Sequence, residues 1–322
     1  MIDPAAQTTR IVARVRVSTE QAGQRVDNFL ITYLKGVPRS HVYRILRSGE
    51  VRVNKGRVKP SYRLLMNDEI RIPPLHTRKL AVPTIPDHVP AVLEAAVLLE
   101  DDDLIVLNKP AGLAVHGGSG LAFGVIEAMR QARPHAPILE LVHRLDRDTS
   151  GCLIIAKSRT ALGELHTLLR TGGLSKHYTA LLAHPWHGGA RAIIAPLARR
   201  AKIGGVVHAA GKQAKSLFRP LRRFEQTTLM EVRIATGRMH QIRLHAAHIG
   251  HPVAGDKKYG DPEFNRHMRA RGLKRLFLHA AGLSFQMPLS GRRYTVQAPL
   301  DADLREVLAK LAENRRVKLS SS

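Results

Sequence analysis

Leu141-Val-His-Arg-Leu-Asp-Arg-Asp-Thr-Ser-Gly-Cys-Leu-Ile-Ile-Ala156 sets a charged turn directly against an uncharged run. Gly151 to Ala156 reads as a buried strand, and Leu104 to Leu107, apolar throughout, as another. Ser158 then offers a helix cap, and Ala161, Leu162, Leu165, Leu168 and Leu169 make one helical stripe that stops at Gly172-Gly173. Lys176 to Ala183 alternates, with Tyr178, Ala180 and Leu182 on one face. Met230 to Ile234 and Leu276 to Phe285 read as further strands. Arg238 to Ile249 reads as a helix with Met239, Ile242, Ala246 and Ile249 turned to the core, and Asp301 to Asn314 as a last helix before a basic tail. Strands and helices interleave from Ala91 onward, so the expected class is α+β.

Upstream, the pattern changes. Residues 1–19 read as a polar tail with one short strand, Ile11 to Val17. Val26, Phe29, Leu30, Tyr33 and Leu34 fall on one helical face. Ser40 can cap a second helix that turns Val42, Ile45 and Leu46 inward and ends at Gly49. Val51 and Val53 flank Arg52 as a strand, Asn54-Lys55-Gly56 is a turn, and a strand near Ile70–Ile72 closes a unit spanning 20–75. Five prolines between Pro73 and Pro90 mark a linker over 76–90, and the larger domain occupies 91–322.

The charge narrows the partner. The 322 residues hold 51 Lys and Arg against 26 Asp and Glu, a net +25. Residues 1–85 alone hold 16 against 6, a net +10. Such an excess suits a polyanion, with nucleic acid ahead of an anionic membrane surface. Arg44 and Arg47 share the outer face of the second helix, with Arg39, Arg52, Lys55 and Arg57 near in sequence and Arg25 just upstream. Guanidinium forks suit phosphate oxygens, although a solvated basic face has the same composition. A lone cysteine, Cys152, allows neither an internal disulfide nor a CxxC zinc site, and reads as a small buried apolar residue. No run is long enough to span a membrane and no apolar leader is visible, so a cytoplasmic protein is expected.

The turn carries the chemistry. Asp146 and Asp148 stand between Arg144 and Arg147. A carboxylate beside Arg⁺ has a lowered pKa and suits a nucleophile or a fixed base, not a general acid at neutral pH. A polar turn with surface ion pairs accounts for the same pattern.

Other segments decide between these readings. They are Val106-Leu-Asn-Lys-Pro-Ala-Gly-Leu-Ala-Val-His116, Lys176-His-Tyr-Thr-Ala180, Gly237-Arg-Met-His-Gln-Ile-Arg-Leu-His245 and Gly250-His-Pro-Val-Ala-Gly-Asp-Lys-Lys-Tyr-Gly260. Together with His143–Gly151 they resemble, in order, the motifs of the RluA-type RNA pseudouridine synthases over roughly residues 91–290. Arg25-Val-Asp-Asn-Phe-Leu, Pro38-Arg-Ser and Gly49-Glu-Val-Arg-Val-Asn resemble the S4 RNA-binding domain. The resemblance implies a mixed, largely antiparallel sheet with flanking helices and a central cleft. It implies site-specific conversion of uridine to pseudouridine in 23S (large-subunit) ribosomal RNA by a base-flipping enzyme that uses no cofactor.

It also implies roles. Asp146 matches the catalytic aspartate, as nucleophile at C1′ or as base at C2′. Tyr178 matches the tyrosine that stacks on uracil, though its periodicity alone favours a core residue. Arg243 matches the partner of the aspartate, and lies about 100° off the stripe of its helix. Ile242 matches the apolar neighbour of the base, and packing alone could also place it. Arg144 matches the residue that fills the gap left by the flipped base, where a local ion pair is the other reading. Ser216 of Lys212-Gln-Ala-Lys-Ser216 stands where the family has threonine, and Gln286-Met287 where a histidine often precedes the proline.

His240, His245, His248 and His251 lack the spacing of a helical metal site, so no metal is expected; His143 and His279 read as local hydrogen-bonding residues. Nothing demands an oligomer, and a monomer is expected. A non-catalytic RNA-binding or ribosome-assembly protein would share the basic charge but has no use for Asp146. A phosphotransferase would need a P-loop or Asp-Phe-Gly, and neither occurs. A glycosidase built on Asp146 and Asp148 would place both carboxylates on one side of a sugar and leave the charge unexplained.

Overall fold

The structure is a computed structural model. It describes residues 12–19, 21–34, 37, 39–74, 85–118, 121–200, 204–208 and 211–320. Two units divide at Thr84 and Ile85. Most of the expected linker lies outside the described residues, as do Pro38 and the whole stretch before Val12.

The first unit contains β1 (Ala13–Arg16), α1 (Val26–Tyr33), α2 (Arg39–Arg47), β2 (Arg52–Val53) and β3 (Glu69–Ile72). The strands form an antiparallel sheet in the order β1-β3-β2. Val26, Phe29, Leu30, Val42, Ile45, Leu46, Val51, Val53 and Ile70 pack into one apolar cluster, the helical and alternating positions expected from their spacing. Between β2 and β3 the chain reverses at Asn54 and Lys55, both at positive φ (48° and 67°), the hand that matches strand twist.

Three readings change here. The strand assigned to the tail pairs with β3 and so belongs to the unit. Ser40 does not cap α2, which already begins at Arg39. Tyr33 is exposed rather than buried, its ring stacked on Phe29 with centroids 5.6 Å apart.

The second unit begins with α3 (His88–Ala95), β4 (Val97–Glu100) and β5 (Leu104–Lys109). Its first helix starts inside the stretch that proline density marks as linker. Pro90 stands in the first turn of α3, where a missing N–H costs nothing. Next come α4 (Val125–Ala132), β6 (Glu140–Leu141), β7 (Ser150–Ala156), α5 (Arg159–Thr171) and β8 (Ser175–Ala183). Then follow β9 (Arg191–Ile194), β10 (Leu197–Arg200), β11 (Gly204–Val207), β12 (Lys215–Arg223) and β13 (Thr227–Ile234). The chain closes with α6 (Gln241–His248), α7 (Pro262–Ala270), β14 (Leu278–Gln286), β15 (Arg293–Gln297) and α8 (Ala302–Ser320).

The main sheet runs β4-β5-β7-β14-β8-β13-β12-β9, with β15 beside β14 and β6 beside β7. Among the described strands only β7 and β14 pair in parallel; the sheet is mixed and largely antiparallel.

The uncharged run of β7 is explained by burial on both faces. Leu153 and Ile155 join one core cluster, while Cys152, Ile154 and Ala156 join the other. Gly151, at φ 106°, lies against the Ala280 carbonyl of β14, closer than any side chain could tolerate. That contact brings β14 alongside the charged turn. The helix after β13 starts at Gln241 rather than Arg238, because His240 takes a left-handed φ of 54° and breaks the helix before it. Met239 therefore lies outside the helix and lines a cavity. The C-terminal helix continues to Ser320, beyond the expected Asn314, because its basic end contains no breaker.

Candidate active site

Asp146 lies in the turn between β6 and β7. Val142 and Leu145 are buried and pin the turn from below. His143 fixes its start: the backbone N–H of Ile154 donates to Nε2 at 3.1 Å, which requires the neutral ring. Burial agrees, pushing the His143 pKa down to about 4. Lys109, fully buried at the end of β5, donates to the carbonyls of Pro110 (2.7 Å), Leu113 (2.9 Å) and Arg147 (3.1 Å). Three acceptors match the three hydrogens of an ammonium and make up part of its desolvation cost. Burial nevertheless pushes its pKa down to about 7, against the opposing pull of Asp148 and Asp146.

The partner of Asp146 comes from far along the chain. Arg243 Nη1 donates to Asp146 Oδ2 at 3.2 Å, across 97 residues. Two further bonds hold that guanidinium, from Nε to Asp256 Oδ2 at 2.7 Å and from Nη2 to Asp256 Oδ1 at 2.8 Å. Asp256 is 1% exposed and its Oδ1 also accepts from the N–H groups of Lys258 and Tyr259, at 2.9 and 3.1 Å. Burial opposes the charge of Asp256, but Arg243 and those N–H groups hold its pKa below the usual carboxylate value. The pair is bidentate and oriented, so one arm of the fork is left for Asp146. The Tyr259 ring stacks on the guanidinium at 5.0 Å, and its hydroxyl meets His240 Nδ1 at 2.8 Å. His240 Nε2 in turn faces Asp146 Oδ1 at 3.8 Å.

The expectation that Arg144 and Arg147 hold Asp146 is therefore corrected. Arg147 pairs with its neighbour Asp148 at 3.2 Å. Arg144 is exposed, has no ion pair among the described residues, and stands at the cavity wall. Local sequence proximity loses to Arg243, whose guanidinium Asp256 holds in place beside Asp146.

A cavity of about 360 Å³ gathers Arg144, Asp146, Tyr178, Ile242 and Arg243, within the size range of small-molecule sites. Tyr178 projects from β8, buried, its hydroxyl pKa raised by desolvation first and by the charge of Asp146 second. Ile242 is buried and belongs to both the cavity wall and the core. Lys176, His240 and Thr149 line the same space. Sequence reading assigned no role to Asp256, His240, Tyr259 or Lys176. The signal for Asp256 was its place in Gly255-Asp-Lys-Lys-Tyr-Gly260, with Gly255 at φ 75° against the Arg275 carbonyl, but no periodicity links that loop to Arg243.

In the first unit Arg44, Arg47, Arg52, Lys55 and Arg57 are all exposed. Their contacts are local: Arg44 to Glu50 at 3.4 Å and to His41 at 2.9 Å, Arg47 to the Tyr43 carbonyl at 3.2 Å, and Arg52 to the Lys55 carbonyl at 3.4 Å. Arg25 differs. It forms a two-pronged pair with buried Asp27, at 3.0 and 2.7 Å, and so braces α1. Arg39 opens α2; its side chain lies outside those described. His245 and His279 are buried and hydrogen-bonded, to Ser216 and the Ala195 carbonyl and to Ser150 and the Ala298 carbonyl.

Comparison with known proteins gives the chain its family. A family model described as RNA pseudouridylate synthase matches residues 103–248, and the S4 domain model matches 24–70. A Yersinia pestis protein named "Ribosomal large subunit pseudouridine synthase C" is 50% identical over 315 residues, covering 96% of this chain and 98% of its own. A protein of the same name from Escherichia coli (strain K12) is 48% identical, covering 95% and 99%.

The chain belongs to the RNA pseudouridine synthase family.

Its fold is that of the family as well. The human RNA pseudouridylate synthase domain containing 4 superposes with a TM-score of 0.60 at 23% identity, covering 70% of this chain and 96% of that one. This RNA pseudouridine synthase carries an S4 domain ahead of its catalytic unit. Among its described residues no helix is long and apolar enough to cross a membrane, and no group of three His, Cys, Asp or Glu could hold a metal.

Proposed function

We propose that this enzyme isomerises specific uridines of large-subunit ribosomal RNA, in the cytoplasm, with Asp146 as its catalytic group. The observation that carries the reading is the 3.2 Å contact of Arg243 with Asp146 inside the cavity that also holds Tyr178. Binding alone has no use for a carboxylate there, since it repels phosphate.

The uridine leaves its stack and enters the cavity, at a cost of a few kcal/mol. Tyr178 offers a ring face for the uracil, a contact worth roughly 1–3 kcal/mol. Ile242 supplies apolar wall beside it. Arg144, exposed at the rim and without an ion pair among the described residues, takes the space the base vacates in the RNA. Asp146, turned by Arg243, addresses the ribose, either at C1′ or at the C2′ proton. The C1′–N1 bond breaks, the uracil rotates, and C1′ rejoins at C5. The C5 proton leaves and N1 acquires one, so the net change is an isomerisation that needs no cofactor. Arg44, Arg47, Arg52, Lys55 and Arg57, with Arg39, grip phosphates without reading bases. Arg25, tied to Asp27, contributes less.

The reading is tested by mapping pseudouridines in total RNA from a strain lacking the gene. Loss at discrete large-subunit positions, restored by the wild-type gene and not by one encoding Asp146→Asn, is expected. An unchanged map would refute it.

A further inference from the structure

Lys176 is a buried cation that the geometry around Asp146 leaves unused. It stands two residues before Tyr178 on β8, so both side chains project to the same face of the sheet. It is 8% exposed and lines the cavity. Among the described residues it makes no ion pair and no hydrogen bond. Its Nζ lies beneath Gly237, where an added Cβ would sit 3.6 Å away. Desolvation lowers its pKa, and no negative neighbour opposes the shift. Lys109 and Arg243, the other deeply buried cations of this unit, have partners: three carbonyls for the first and two carboxylates for the second. Burying a charge without a partner is costly, and such a side chain is retained where a ligand supplies the partner.

The reaction supplies one. When C1′–N1 breaks, its electron pair stays with the base, whether Asp146 bonds to C1′ or removes the C2′ proton. The uracil is then an anion, its charge shared between N1 and the O2 and O4 carbonyls. It holds that charge until C5 bonds to C1′. The base is expected against Tyr178, on the face that Lys176 shares.

We infer that Lys176 is a catalytic residue that donates from Nζ to a carbonyl oxygen of the departing uracil and stabilises its negative charge. The inference rests on the uridine reading of the cavity. No proton changes hands, so the residue acts as a fixed donor aimed at charge that develops only during reaction. Such an interaction raises the rate of the chemical step and leaves RNA affinity alone.

Single-turnover tritium release from an unmodified large-subunit rRNA transcript carrying [5-³H]uridine tests it, together with filter binding of the same RNA. Lys176→Met should slow the step by about 10²- to 10³-fold, the cost of losing one such donor. Its RNA Kd should stay within about threefold of wild type, a shift below 1 kcal/mol. Lys176→Arg should recover part of the loss. Lys176→Ala should be accelerated by added propylammonium, with saturation, and not by tetramethylammonium, which has no N–H to donate.

A Lys176→Met rate within about threefold of wild type would overturn the inference. So would a loss confined to Kd. If Lys176→Met fails to fold, absence of rescue by the ammonium ion in a folded Lys176→Ala has the same force. Wild-type protein that releases no tritium would instead refute the uridine reading itself.

Discussion

The two units hold their arginines in opposite ways. Arg44 in the first unit has a side chain 58% exposed, with only local contacts, to Glu50 at 3.4 Å and to His41 at 2.9 Å. Arg243 in the second is 12% exposed and committed to two carboxylates. The first kind meets phosphate by adding small, screened contributions, each replaceable by a neighbour. The second kind is part of a preorganised site, where geometry decides and no neighbour can substitute. The same residue type thus spreads its effect over a surface in one region and concentrates it on one carboxylate in the other.

That contrast breaks most visibly at Arg243. Arg243→Ala should abolish detectable turnover and destabilise the catalytic unit by about 3–5 kcal/mol, because Asp256 is left buried and unpaired. Urea denaturation and single-turnover assays check both. Arg243→Lys keeps the charge but not the fork, and activity should still fall by about 10²-fold or more. Full activity in the lysine variant would mean that charge alone suffices and that the oriented fork is irrelevant.

Deleting residues 1–84 should weaken RNA binding steeply at low salt. The slope of log K against log[salt] should flatten by about 0.7–0.9 for each phosphate no longer gripped. The residual reaction at saturating RNA should keep its single-turnover rate. An unchanged slope would show that the first unit takes no part in binding.

A smaller effect separates fold from chemistry by pH. His143 is neutral in the fold, with a pKa near 4 against 6.5 for the free side chain. The unfolded chain therefore binds more protons between those values, and the His143 contribution, full above 6.5, is lost as pH falls toward 4. His143→Asn, which keeps an acceptor for the Ile154 N–H and does not titrate, should flatten that part of the stability curve. An identical curve would place the pH dependence elsewhere.

Smallest of all is Arg44→Ala. It should reduce the salt slope by about 0.7–0.9 and leave turnover at saturating RNA unchanged.

Much of the fold was legible because burial writes itself into short-range pattern. The uncharged run of β7 had no charge to spare for either face, and Val26, Phe29 and Leu30 marked α1 by spacing alone. What was not legible depends on distance or on backbone conformation. Nothing near Asp146 announces that its partner lies 97 residues away, and the neighbouring arginines were the natural wrong choice. Asp256 is fixed by a loop with no period. His240 ends the expected helix early through a left-handed φ that a histidine only occasionally adopts. The motif resemblance reached Asp146, Tyr178 and Arg243 because it compares order along the chain and needs no contact. It did not say what Lys176 does.

The contrast between holding and reacting is tested most directly by Asp146→Asn, the smallest change that removes the charge in the cavity. The measurement is tritium release from [5-³H]uridine in large-subunit rRNA, set beside the salt dependence of binding to the same RNA. No release above background is expected, with affinity and salt slope like those of wild type. Release at the wild-type rate would contradict the role given to Asp146.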